Sequence, residues 1–188
     1  ETTNAPPLRI LVAGQLPPPY GGQNLNIERF LRLLRATEGR RTEHWKFDFT
    51  RSWATTRRGS FAKMVELARV FARLARLRLR GRIDYVLYPS GGPRLVPNVR
   101  DVLLLPVACL VADRVCVHLQ AAGQAAALPN FPAPLRWLLK AVHRRCFGAI
   151  VLTEFGRRDA EALGFERISV IPNAVGDQAS GFTERRTD

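Results

Sequence analysis

No apolar run in this 188-residue chain reaches the roughly 18–20 residues that a bilayer-crossing helix needs; one of the longest, residues 102–112 (VLLLPVACLVA), stops well short. Cysteine occurs only three times, at Cys109, Cys116 and Cys146, in widely separated apolar stretches. That excludes a disulfide framework and a metal-ligand spacing, and it predicts reduced core thiols in a cytosolic protein. Glycine (14) and proline (13) follow no period, which excludes a collagen-like chain, and 46% hydrophobic residues exclude intrinsic disorder. The opening ETTNAPP is polar and proline-rich, unlike a signal peptide. Lysine is nearly missing too: Lys46, Lys63 and Lys140 are the only ones among 29 basic residues.

What is present in excess is arginine. Against 16 acidic residues the formal charge is +13, with an isoelectric point near 11.2. Such a surplus points to an anionic partner: nucleic acid, an acidic membrane face or a phosphorylated substrate. An alanine-, leucine- and arginine-rich chain from a GC-rich genome would have the same composition, so both readings stay open. Nucleic acid is the weakest of the partners, because the arginines are dispersed and no aromatic-interleaved basic platform occurs.

Patterning along the chain alternates between strand and helix. Residues 8–13 (LRILVA) form a short, nearly continuous apolar run, as in a strand buried on both faces. The loop GQLPPPYGGQ follows, then Asn24 as a helix N-cap, with Ile27, Phe30, Leu31 and Leu34 at helical spacing. Strands are predicted at residues 44–50, 84–88, 114–119, 149–153 and 168–171. Helices are predicted from Ser60 to about Arg80, from Asn98 to Ala112, from about Leu135 to Phe147 and over residues 154–163. This order predicts an α/β fold, a Rossmann-like parallel sheet with helices on both faces. In such a sheet ligands sit beyond the carboxyl ends of the strands. Four loops are thereby singled out: residues 14–23, 89–97, 118–127 and 153–157.

Within those loops, Gly14, Gly21 and Gly22 can let backbone amides approach a phosphate, although neither G-x-G-x-x-G nor a P-loop is spelled out. A tight connection would need glycine as well. His118, at a strand's carboxyl end, can serve as a general base or bind a phosphate or hydroxyl; it can equally be a hydrogen-bonded structural group. His44 and His143 fall away from the ligand edge. Arg69, Arg73, Arg76 and Arg80 follow one stripe of a helix whose other side is apolar, a pattern suited to an anionic membrane surface and equally to a core helix with a solvated face.

Three segments, taken in order, resemble the N-terminal half of family 4 retaining glycosyltransferases of the two-domain GT-B type. They are ILVAGQLPPPYGGQNLNI, RVCVHLQAAG and GAIVLTEFGRRDAEALGFERISVIPNAV. Relatives often read histidine–leucine–histidine–glycine where this chain has His118, Leu119, Gln120 and Ala121. The resemblance implies that residues 1–175 are the acceptor-side domain, with 176–188 a tail or the start of a hinge to a further domain. It implies that Gly21 and Gly22 give amides to a donor diphosphate and that His118 touches the transferred sugar. It further implies that Tyr20, Gln23, Asn24, Gln120, Thr153 and Glu154 line the acceptor cleft. His118 is expected at the cleft edge with solvent access. No metal and no resident cofactor are expected, the nucleotide-sugar being a co-substrate held mostly by the other domain. The acceptor would be a sugar or a lipid-linked molecule, and the location cytoplasmic or peripheral on the inner membrane face. A stand-alone Rossmann-like module that holds a nucleotide or phosphorylated ligand without catalysis is the alternative.

Overall fold

Strand β1 (Leu8–Ala13) coincides with the first apolar run, and Leu11, Val12 and Ala13 are buried in succession. Consecutive burial means that both faces of the pleat are covered, the condition of a parallel sheet. The structure, a computed structural model, describes residues 7–17, 21–37, 40–45, 68–69, 71–72, 75–76 and 78–173. After β1 come α1 (Gly22–Ala36), β2 (Arg40–Trp45), β3 (Ile83–Pro89), α2 (Leu95–Val111) and β4 (Ala112–Leu119). A short helix α3 (Gln124–Ala127) then runs into a 3-10 turn (Leu128–Asn130). It is followed by α4 (Ala133–His143), β5 (Gly148–Val151), α5 (Glu154–Leu163) and β6 (Ile168–Val170). Helical residues also occur between 68 and 79.

The six strands are all parallel, in the order β2-β1-β3-β4-β5-β6. The register sets Leu11 beside Val86, Val86 beside Val115, Val117 beside Ala149 and Val151 beside Val170. This is the Rossmann-like α/β architecture that the alternation predicts. Two apolar layers hold it. Val12, Ile27 and Leu31 form the layer under α1. Leu104, Leu105, Ala108, Leu139, Ala160 and Leu163 carry α2, α4 and α5 onto the other layer. Each fully buried Leu, Ile or Val contributes about 1.5–3 kcal/mol of transfer free energy. At the amino edge the Arg9 guanidinium is bidentate on Glu43 (2.9 and 3.2 Å) and also donates to Gly81 O at 2.8 Å, tying β1 to β2 and to the approach to β3.

Several boundaries differ from the sequence expectation. Helix α1 starts at Gly22 with Gly21 as N-cap, so Asn24 lies inside its first turn. Helix α2 starts at Leu95 rather than Asn98, because Pro97 is tolerated in a first turn where no amide partner exists. Asn98 instead turns its amide back to Arg94 O at 2.7 Å and Gly92 O at 3.3 Å. Strand β2 occupies residues 40–45, earlier than the alternating stretch beginning at residue 44. The Ser60 end of the predicted second helix lies outside the described residues, and so does Arg73. Cys109 and Cys146, widely separated in sequence and both free as expected, have their sulfurs 3.9 Å from one another.

The connection after β3 is sterically exacting. A Cβ on Gly91 would stand 2.1 Å from Pro97 Cβ and 3.0 Å from its Cα, neither of which is a flexible side-chain end. Gly22, at the first position of α1, has nothing within 4 Å of where its Cβ would be. Gly91→Ala is therefore expected to cost about 1–3 kcal/mol in chemical denaturation. Gly22→Ala should be neutral or slightly stabilising, since alanine is the better helix former.

Candidate functional site

The strand order reverses between β1 and β3, and the crevice beyond their carboxyl ends is where a parallel α/β sheet receives ligands. Gly14 leaves β1 at φ +126°, and a Cβ there would lie 2.3 Å from Ile27 Cδ1, so glycine is required by the fold itself. Gly21 and Gly22 are different. Gly21 is in extended backbone (φ −150°, ψ 156°), both residues are exposed, and neither would bring a Cβ within 4 Å of anything. The N-terminus of α1 has no side-chain cap and no acidic residue in its first turn. The amide end of a helix and the positive end of its dipole suit an anion.

The next wall is the loop after β3, fixed by Asp101. This carboxylate is wholly buried. It accepts from Tyr88 OH at 2.7 Å, from Ser90 Oγ at 3.0 Å and from Gly91 N at 3.0 Å, with Arg100 Nη2 at 2.7 Å. Burial, reinforced by the Asp101 charge, holds the Tyr88 phenol well above its usual range, so it stays a donor. Burial alone would lower the Arg100 pKa, but the pairing outweighs it and the guanidinium remains charged. Ser90, so held, donates its amide to His118 O at 3.0 Å and receives Gln23 Nε2 on its carbonyl at 3.5 Å.

His118 is the next-to-last residue of β4, in the register of Pro89 and Ile150. It is 2% exposed, not open to solvent as expected, because Phe30 of α1 packs edge-on to the ring at 5.5 Å. Its Nδ1 lies 3.1 Å from Gln120 Nε2. Asn26 Nδ2 reaches Gln120 Oε1 at 3.5 Å and Asn173 Oδ1 at 3.1 Å. With Gln120 Oε1 accepting from Asn26, its amide nitrogen is the donor to Nδ1, so the imidazole proton sits on Nε2. That Nε2 is buried and has no hydrogen-bond partner among the described residues. A buried donor left unpaired costs about 1–3 kcal/mol, which a ligand acceptor would recover. His118, Asn26, Asn173, Phe30, Leu33 and Ile171 line a groove of about 280 Å³ between α1 and the ends of β4 and β6.

The structure joins His118 to Gln120 and Gln120 to Asn26 of α1, while Gln23, next to Gly22 in the chain, reaches the Ser90 carbonyl; Gly21 and Gly22 do not line the groove beside His118. Asn24 is half-buried in the same first turn of α1. Thr153 and Glu154 serve α5: Thr153 Oγ1 accepts from Gly156 N at 3.3 Å as the N-cap, and Glu154 pairs with Arg157 at 2.9 Å, which lowers its pKa. Both are exposed. Tyr20 lies outside the described residues. Sequence reasoning missed Asn26, Ser90, Asp101 and Asn173. Asn26 carried a signal, a polar residue beside Ile27 on the apolar stripe of α1. Among the described residues no group of three His, Cys, Asp or Glu side chains stands close enough to hold a metal. No family model matches the chain, and no curated protein matches it.

Burial pushes the His118 pKa down from 6.5 to about 4. At neutral pH the ring is uncharged in both folded and unfolded chains. As pH falls, the unfolded chain takes up a proton that the folded one refuses, so stability present above 6.5 is lost down through about 4. Between pH 7.5 and 5 the wild-type chain should lose about 2 kcal/mol more than His118→Gln, at about 1.4 kcal/mol per pH unit. Urea unfolding at the two pH values checks this; His143, also lowered by burial, is common to both proteins and cancels.

Proposed function

We propose that this chain is the acceptor-side half of a retaining glycosyltransferase of GT-B architecture. It would move a sugar from a nucleotide-sugar to a lipid-linked or polysaccharide acceptor. The observation that carries the reading is that the carboxyl edge of one sheet holds both glycines that meet nothing in the described structure and a buried imidazole nitrogen with no partner among the described residues. On this reading the amides of Gly21 and Gly22 meet the donor diphosphate, and His118 Nε2–H donates to the transferred sugar. Gln23, Asn24, Gln120, Tyr20, Thr153 and Glu154 belong to the acceptor side. Retaining transfer of this kind lets a donor phosphate oxygen take the acceptor proton, so no resident metal is called for. The three resembling segments support the assignment.

A second reading rests on the groove itself, which is lined by polar and apolar side chains, Arg29 among them. It would hold a nucleotide or other phosphorylated ligand without catalysis. The two readings part on one experiment. In the complete enzyme, Gly22→Val should abolish sugar transfer while leaving the thermal transition within a few degrees, since the side chain meets only open space. The 188-residue chain alone should turn over no donor and bind nucleotide-sugars weakly. Nanomolar nucleotide-sugar binding or turnover by the chain alone would sink the half-site reading.

The acceptor class implies an acidic membrane nearby, with the protein peripheral on its cytoplasmic side. No helix among the described residues is long and apolar enough to cross a membrane. Arg69, Arg76 and Arg80 are exposed. Vesicle binding is therefore expected to need anionic lipid and to weaken with salt, each arginine near the surface contributing about 1 kcal/mol. Co-sedimentation with neutral and anionic vesicles decides it; indifference to lipid charge rejects the surface.

A further inference from the structure

Cys109 lies in the last turns of α2 and Cys146 in the connection from α4 to β5, at the amino edge of the sheet, away from the crevice. They are 37 positions apart in sequence, yet their sulfurs are 3.9 Å from one another. Both are free and half-buried. Cys146 Sγ also donates to Val142 O at 3.5 Å, and Cys109 Sγ lies 4.0 Å from Arg145 O. The third thiol, Cys116, lies in the middle of β4; it is close enough to contribute to the raised pKa of Cys146, but the sulfur–sulfur contact in the described structure is between Cys109 and Cys146. A disulfide needs sulfurs about 2.05 Å apart, a closure of the order that side-chain rotation supplies.

We propose that Cys109 and Cys146 form a redox-active dithiol site, which closes to a disulfide by exchange with a low-molecular-weight disulfide. Cys109 is the attacking group. Hydrogen bonding from Cys146, helped by the Arg145 charge, lowers its pKa against the opposing effect of burial. Cys146 is raised by the same contact and by burial. The Cys109 thiolate attacks one sulfur of the oxidant, its S–S bond breaks, and one thiolate leaves to be protonated. Cys146 then gives its proton to solvent and attacks the Cys109 sulfur, expelling the second thiolate. The protein loses two protons and two electrons, and the oxidant takes them up to become two thiols. The bond would join the end of α2 to the start of β5, and closing so long a loop restricts the unfolded chain.

The test is to incubate the 188-residue chain with excess oxidised glutathione and map its thiols by peptide mass spectrometry without reduction. One intramolecular cross-link between the Cys109 and Cys146 peptides is expected, with a thermal midpoint raised by roughly 5–10 °C and restored by dithiothreitol. Cys116→Ser should behave like wild type. Cys146→Ser should stop at a stable glutathione adduct on Cys109. Because a serine variant can fail to fold, the unmodified chain is also titrated with phenylarsine oxide, which bridges neighbouring thiols; one equivalent should bind and protect Cys109 and Cys146 from alkylation. Mixed disulfides persisting in the wild type, a cross-link through Cys116, or independent alkylation of the two thiols in the arsenical's presence would each overturn the proposal.

Discussion

Asp101 is a carboxylate with no exposed surface, and the carboxyl edge of the sheet is arranged around satisfying it. An ion removed from water is tolerated only when its lone pairs are filled, so every donor around it is constrained. Tyr88 OH, Ser90 Oγ, the Gly91 amide and the Arg100 guanidinium fill them. Ser90 passes the constraint outward, its amide to the His118 carbonyl and its carbonyl to Gln23. One buried charge on α2 thereby fixes the relative positions of the loops after β1, β3 and β4. Removing the Asp101 charge while its donors remained would leave them unpaired, and the crevice would lose its reference point before the core lost its packing.

The fold was legible because its signals are local. The run LRILVA, the amphipathic residues 154–163 and the glycine that follows them need only neighbouring residues to be read, and β1 and α5 match their expected bounds. Errors collect where distant side chains decide. Asn98 looks like an N-cap by its position, but its oxygen accepts from Gln124 at 2.6 Å, a partner 26 residues away. Asp159, on α5, receives the amides of Gly123 and Ala125 and so caps α3, a helix that no periodicity announces. The exposure of His118 was misjudged for the same reason: the covering ring, Phe30, belongs to a helix on another part of the chain. Of the candidate residues, the sequence identified the ends of strands; which polar atoms meet there is a matter of long-range pairing.

The glycines sort by what demands them. Gly14 and Gly91 are needed by neighbours inside the protein, a left-handed backbone against Ile27 in one case and Pro97 in the other. Nothing inside the described structure demands Gly21 or Gly22, and glycine at a helix start costs backbone entropy relative to alanine. On the proposed reading, glycine at these two positions leaves the backbone open to a ligand that comes close to it. His118 leads to the same place by a different route. Its ring is neutral at physiological pH and offers a donor, so it is suited to an oxygen acceptor and poorly suited to holding a free negative charge by ion pairing.

These two features divide the work expected of the crevice. Backbone amides at a helix N-terminus stabilise an anion without adding a titratable group, whereas the neutral imidazole orients an uncharged oxygen. A diphosphate attached to a sugar presents both kinds of oxygen, one to each wall, which is why the glycosyltransferase reading uses the whole edge while a bare phosphate would leave His118 unexplained. Neither wall alone performs transfer. Bringing donor and acceptor into line is worth about 7–11 kcal/mol of a reaction barrier, and that requires both reactants to be held at once. On the proposed reading, the crevice beside β1 and β3 would supply one side of such a clamp, its loop after β3 held by the Asp101 hydrogen bonds. A second domain closing over it would then have to bring the donor to a surface already in position.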